Sequence, residues 1–146
     1  MIMKKIMLSL FLAVLSLVVS AQSVTLRSHN NLVGQKRIPH KKLSAEQVAL
    51  KNSIAFILYD WQAYSETLPA RDAAKWKNKK LTPGLIKTRN DSLRINHKYT
   101  VISSKEFKNK KNVILEEQIQ KNKSRYSVTL IKTASGWVVT KYEVAK

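Results

Sequence analysis

Acid–base catalysis needs a titratable side chain whose pKa can be drawn toward neutrality, held beside a second group in a complementary role. Few residues of this 146-residue chain offer that. His97 falls where a helical pattern gives way to a strand, a position that more often caps or faces water than catalyses. Asp72 and Asp91 stand among basic neighbours, and Asp91 is spaced to pair with Lys87 or Arg94 on one helix face. Glu116 and Glu117 are adjacent in a strand-like run, so they face opposite sides of a sheet and form no carboxylate dyad. His29 and His40 lie eleven residues apart with no carboxylate beside them, which argues against a metal site. The chain has no cysteine, and so no disulfide, thiolate ligand or thiol nucleophile. Its glycines, Gly34, Gly84 and Gly136, make no phosphate-cradling loop. No catalytic residue, metal or cofactor is expected.

Two groups of residues remain for binding. Tyr59, Trp61, Tyr64, Trp76 and Trp137 have the aromatic area to line a pocket, although rings at helical spacing more often fill a core. Lysines concentrate at Lys75, Lys77, Lys79 and Lys80, and again at Lys105, Lys108, Lys110, Lys111, Lys121 and Lys123. The formal net charge of +18 would draw such a chain to nucleic acid, lipid head groups or acidic polysaccharide. A nucleic-acid groove interleaves basic residues with exposed aromatics for base stacking. Here the lysines' neighbours are mainly Asn, Ser and Lys, so nucleic acid is possible but not favoured, and a solvated or membrane-facing surface is the better reading.

The elements that must position these residues begin after an export signal. Lys4 and Lys5, the apolar run from Ile6 to Val19 and the small pair Ser20-Ala21 have the plan of a signal peptide, with cleavage after Ala21. An uncleaved anchor is the alternative for so apolar a stretch. Cleavage would leave a periplasmic or secreted domain of 125 residues with net charge +16, long enough to bury its own core. Residues 22–43 are polar, carry Gly34 and Pro39, and lack periodicity. They suggest an extended basic arm with Lys36, Arg37, His40, Lys41 and Lys42.

Ser44 and Gln47 then form a capping box, stapled by Leu43 and Val48. Leu50, Ile54, Ile57, Trp61, Tyr64 and Leu68 recur as one helical stripe, which Phe56 and Leu58 widen and Pro69 ends. Residues 70–80 suit a short basic helix. Thr82 caps a further one, with Pro83 in its first turn and Leu85, Ile86, Arg89 and Leu93 as its stripe. From Tyr99 the period changes. Segments at 99–107, 112–120, 125–132 and 137–144 have strand composition and short polar turns, and Tyr126, Val128 and Leu130 alternate with polar residues.

Helices followed by an antiparallel meander ending in SGWVVTKYEV resemble the NTF2-like and cystatin-like superfamily, small exported bacterial domains of lumazine-binding-like type among them. The likeness spans residues 44–146 and rests on the helix from Ser44 to Leu68 and the Gly136-Trp137 turn. It implies an α+β fold with N-terminal helices packed on a curved antiparallel sheet of about four strands. It also implies a pocket between first helix and sheet, with Tyr59, Trp61, Tyr64, Trp76 and Trp137 as candidates, and dimerisation through the sheet. Enzymes of that superfamily place an Asp–His or Tyr–Asp pair in the pocket. Asp60 and His97 are all this chain offers, and Asp60 only flanks the stripe. The expected function is non-catalytic recognition of a small ligand or protein partner. The alternatives are a polyanion-binding accessory protein of the envelope or of an export or DNA-transfer apparatus, using Lys75, Lys77, Lys79, Lys80, Lys108, Lys110 and Lys111, and, ranked last, a small hydrolase or isomerase.

Overall fold

The computed structural model describes residues 23–26 and 38–146. The export signal and its cleavage site lie outside them, as do His29, Lys36 and Arg37.

Ser44 starts α1, Ala45–Ile57. Its hydroxyl accepts from the Gln47 amide at 3.1 Å, and the Gln47 side chain accepts from the Ser44 amide at 2.8 Å. The helix expected to continue to Leu68 is broken. Leu58 caps α1, Tyr59 takes φ 55° in the left-handed region, and Asp60 starts α2, Trp61–Glu66, by accepting from the Ala63 amide at 3.2 Å. A short carboxylate favours a cap over a helix interior because it competes for backbone donors. Apolar spacing carries no trace of that competition.

Pro69 opens α3, Ala70–Trp76, and the Thr82 hydroxyl, 3.3 Å from the Leu85 amide, caps α4, Pro83–Arg94. Lys87 and Asp91 pair on α4 at 2.8 Å, as their spacing suggested. No residue of α4 is buried, although Leu93 reaches the margin of the core. The expected stripe of Leu85, Ile86 and Arg89 is therefore not a core face, since none of the three is buried.

The sheet is antiparallel in the order β1-β2-β3-β4-β5: Ser23–Thr25, His97–Phe107, Lys110–Ile119, Asn122–Thr133 and Gly136–Val144. Three hairpins turn over two residues each, closing at Phe107/Lys110, Ile119/Asn122 and Thr133/Gly136. Lys108 and Gln120 supply positive φ of 55° and 56°, as right-twisted strands ask of so tight a loop. Among the described residues there are five strands where four were expected. Ser23–Thr25, inside the segment read as an arm, pairs with Lys98–Thr100 of β2, and Leu26 beside it is buried. Three residues are too few for alternation to register.

The class is α+β, with α1 across one sheet face. Val48, Ala49, Leu50 and Ile54 meet Val101, Val113, Leu115, Val128, Leu130 and Val139 in one core. Each buried branched side chain contributes about 1.5–3 kcal/mol. On the opposite face Glu116 pairs with Arg125 at 3.2 Å and Lys123 at 3.6 Å, and the Asn112 amide donates to Ser127 at 2.7 Å. The free edge of β5 is tied to the turn after α2. The Val139 amide donates to the Thr67 carbonyl at 2.7 Å, and the buried Asn52 donates to the Thr67 hydroxyl at 2.8 Å. A short 3₁₀ helix, His40–Lys42, leans on the start of β5. Gly136 there has φ 114°, and a Cβ on it would lie 3.2 Å from the His40 carbonyl.

Candidate functional site

A cleft of about 710 Å³ opens between the second half of α1, the α2–α3 corner and one end of the sheet. That volume suits a small organic molecule. The corner at Tyr59-Asp60 turns α2 back, and three rings form one wall. Phe56 stands 5.3 Å from Tyr64, and Tyr64 meets Trp76 edge to face at 5.1 Å. The Lys79 ammonium lies over the Trp76 ring, 3.9 Å from its centroid.

The floor comes from the sheet. Along β3, Val113 and Leu115 point into the core, and Glu117, two residues on, points the same way near the end of the strand. Its carboxylate gathers three donors. Oε2 accepts from His97 Nε2 at 3.0 Å and from the Tyr99 hydroxyl, and Oε1 accepts from the Tyr126 hydroxyl at 3.3 Å. These bonds, His97's first, hold the Glu117 carboxyl below the usual carboxylate range although burial opposes them. Burial and then the neighbouring carboxylate push the Tyr99 phenol far up. Tyr142, its ring 5.3 Å from that of Tyr126, shares a hydrogen bond of 2.9 Å with Ser53. Withdrawal from water pushes its phenol up to about 12. Glu117 thus stays ionised and the phenols stay protonated across neutral pH. Ser53 has no base beside it, because its partner is a protonated phenol.

Of the aromatic residues singled out in the sequence, Tyr64 and Trp76 line the cleft. Tyr59 and Trp61 stand behind the wall, Tyr59 at 5.4 Å from Trp61 and Trp61 at 5.0 Å from Trp76. Trp137 is not brought to the cleft. It opens β5 at the other end of the sheet, its carbonyl accepting from His40 Nε2 at 2.8 Å. His97 is neither cap nor surface residue: it begins β2, is 4% exposed and is bonded to Glu117, while Asp60 caps α2. The pairing of His97 with a carboxylate came from the register, which brings the start of β2 beside the end of β3.

Glu117, Tyr99, Tyr126, Tyr142 and Phe56 were missed as site residues. For Glu117 and Tyr126 a signal existed, since each continues an apolar alternation: Val113, Leu115, Glu117, and Tyr126, Val128, Leu130. A carboxylate or phenol at the end of such a row marks where a core face becomes a polar floor.

The lysines fall into two groups. Lys75 pairs with Asp72 at 3.9 Å on the cleft rim, and Lys77, Lys79 and Lys80 are exposed beside it. Lys108 and Lys110 flank the β2–β3 turn, while Lys111 is engaged with Glu46 at 2.7 Å and is not an open anion contact. Glu46, which pairs with Lys111, and Phe56, which packs on Trp76 next to the first group, are ten residues apart on α1, roughly 15 Å along its axis. Among the described residues no three His, Asp or Glu side chains gather to hold a metal ion, and no helix is long and apolar enough to cross a membrane.

No family model and no curated protein matches the chain. Among solved structures, the solution structure of a SEC-C motif containing protein from Rhodopseudomonas palustris is similar over 80% of this chain and 88% of its own. The identity is 13% and the TM-score 0.49.

Proposed function

We propose that the chain is an exported binding domain, built on an NTF2-like or cystatin-like plan, that holds a small ligand in this cleft without turning it over. The Glu117 carboxylate, held by three donors, carries the reading. General acid–base work asks for a group poised near neutrality and open to the ligand, whereas Glu117 is held ionised by three donors, its phenol neighbours are held protonated, and His97, bonded to Glu117 and 4% exposed, does not line the cleft. Such a floor offers fixed charge and fixed dipoles. The ring wall offers apolar contact, and together they form a recognition surface.

Nile red, a neutral dye that brightens in apolar clefts, tests the reading on the purified chain. Saturable one-to-one binding that Trp76→Ala abolishes is expected. Binding that never saturates, or that ignores this substitution, overturns it. Native mass spectrometry of the protein with a carried ligand tests the absence of turnover, and a ligand whose mass changes on incubation overturns that part. Export is tested by N-terminal sequencing of the extracytoplasmic fraction: a start at Gln22 is expected, and retention of Met1 in the cytoplasm refutes it.

A further inference from the structure

We infer that the cleft recognises an organic ammonium ion, a primary amine carried on an apolar or aromatic body. The inference rests on the proposal that the cleft holds a small ligand, and deepens it.

Tyr99, Tyr126 and His97 each direct a proton to Glu117, so none of these protons faces the cleft. A carboxylate has about four acceptor positions. Three are occupied, and the open one is on Oε1, the oxygen bonded to Tyr126 alone. The Tyr126 oxygen, having donated to Glu117 and accepted from the Ser124 hydroxyl, keeps one lone pair. Ser53 and Tyr142 share one hydrogen bond, so one hydroxyl proton between them is left over, and Thr140 on the cleft wall donates away to the Thr129 carbonyl at 3.2 Å. Around Glu117 itself the floor accepts, and a ligand seated against that carboxylate must bring the hydrogen.

Charge points the same way. The two lysines that line the cleft each have a carboxylate, Lys75 with Asp72 at 3.9 Å and Lys141 with Glu143 at 3.3 Å, while Lys77, Lys79 and Lys80 stand exposed outside the lining. Glu117 is bonded to His97 and two phenols, and among the described residues no lysine or arginine pairs with it. An anionic ligand would meet this charge and these lone pairs head-on. The ring wall suits a cation too: the Lys79 ammonium already lies on Trp76 at 3.9 Å, an attraction that electron-rich faces offer any ammonium group.

Three isosteres separate the possibilities: 2-phenylethylamine, 2-phenylethanol and phenylacetate, each titrated calorimetrically into the full chain at neutral pH. The amine should bind about tenfold or more tightly than the alcohol, since a charge-assisted hydrogen bond is roughly twice as strong as a neutral one, and phenylacetate should bind least. Glu117→Gln should erase the preference for amine over alcohol. Tyr126→Phe, which keeps the ring and Glu117, should weaken the amine several-fold with little effect on the alcohol; it carries the test if Glu117→Gln does not melt as a folded protein. Equal binding of amine and alcohol, tightest binding of phenylacetate, a preference that survives both substitutions, or no binding of the amine would each overturn the inference. Nile red binding in the same preparation shows whether the cleft reading falls with it.

Discussion

Removing the Glu117 carboxylate should be among the most damaging single changes in the sheet. In Glu117→Ala, the His97 ring, 4% exposed, and the Tyr99 hydroxyl, on a residue 2% exposed, lose their acceptor with little water to replace it. A buried donor left unmade costs about 1–3 kcal/mol, and two are left here. Tyr126 is only half buried and can turn to water, so it adds little. The expected loss at neutral pH is about 2–6 kcal/mol. With a urea slope of about 2 kcal/mol per M for a domain of this size, the unfolding midpoint should fall by roughly 2 M. Tyr99→Phe should cost less, and the double variant should fall short of the sum, because the two side chains share one bond. Acid supplies a second check. Glu117 has a native pKa below its ordinary 4.5, so its contribution is whole above that value and is lost as pH falls through the native pKa. The midpoints of the wild type and Glu117→Ala should therefore converge in strong acid. A penalty under about 1 kcal/mol at neutral pH, or a gap that stays constant as pH falls, would refute the reasoning.

Three further outcomes are expected. His40 is held below its ordinary 6.5 chiefly by burial, with the Lys51 ammonium 3.2 Å from Nδ1 adding to the depression and the Trp137 carbonyl opposing it. Stability is then whole above pH 6.5 and declines as pH falls from there toward the native pKa, so the Tm should drop more steeply in mild acid for the wild type than for His40→Asn; equal slopes would count against this account. Gly136→Ala forces a Cβ to 3.2 Å from the His40 carbonyl and the Lys41 Cα at a φ of 114°, and should cost about 1–3 kcal/mol in urea unfolding. Gln120→Gly, at an exposed turn with φ 56°, should raise stability by up to about 1 kcal/mol, and a loss would show that the turn is not strained by its side chain.

What the sequence revealed and what it hid divide by range. The Ser44–Gln47 capping box, the Thr82 cap, the Lys87–Asp91 pair and the opposite facing of Glu116 and Glu117 each depend on residues within four positions of one another, and all are present. The strand segments of the meander also lie within a few residues of where composition put them. The site depends on register instead. His97 and Tyr99 reach Glu117 across some twenty residues because β2 and β3 close over a two-residue loop, and Tyr126 reaches it because β3 and β4 do the same. No local pattern carries those distances. Ser23–Thr25 escaped for a different reason, since a three-residue edge strand is held by its partner and has no periodicity of its own.

The break at Asp60 connects these scales, because a purely local preference decides the geometry of the cleft. On one unbroken helix, Phe56 and Tyr64 would be separated by eight residues, roughly 12 Å of axial rise. Their ring centroids are 5.3 Å apart. Only a chain reversal between them allows that contact, and it takes place where Tyr59 adopts φ 55° and the Asp60 carboxylate accepts from the Ala63 amide. The strain at Tyr59, about 1–3 kcal/mol for a non-glycine residue in this region, is offset by the cap and by the rings the reversal packs together. Replacing Asp60 by alanine removes the cap, worth about 1 kcal/mol, and leaves α1 free to extend through Tyr59. Helix content by circular dichroism should then hold or rise while Nile red binding falls, because the wall is displaced and the helices are kept. A variant that loses helix content and dye binding together would show that the corner is needed for folding and not specifically for shaping the cleft.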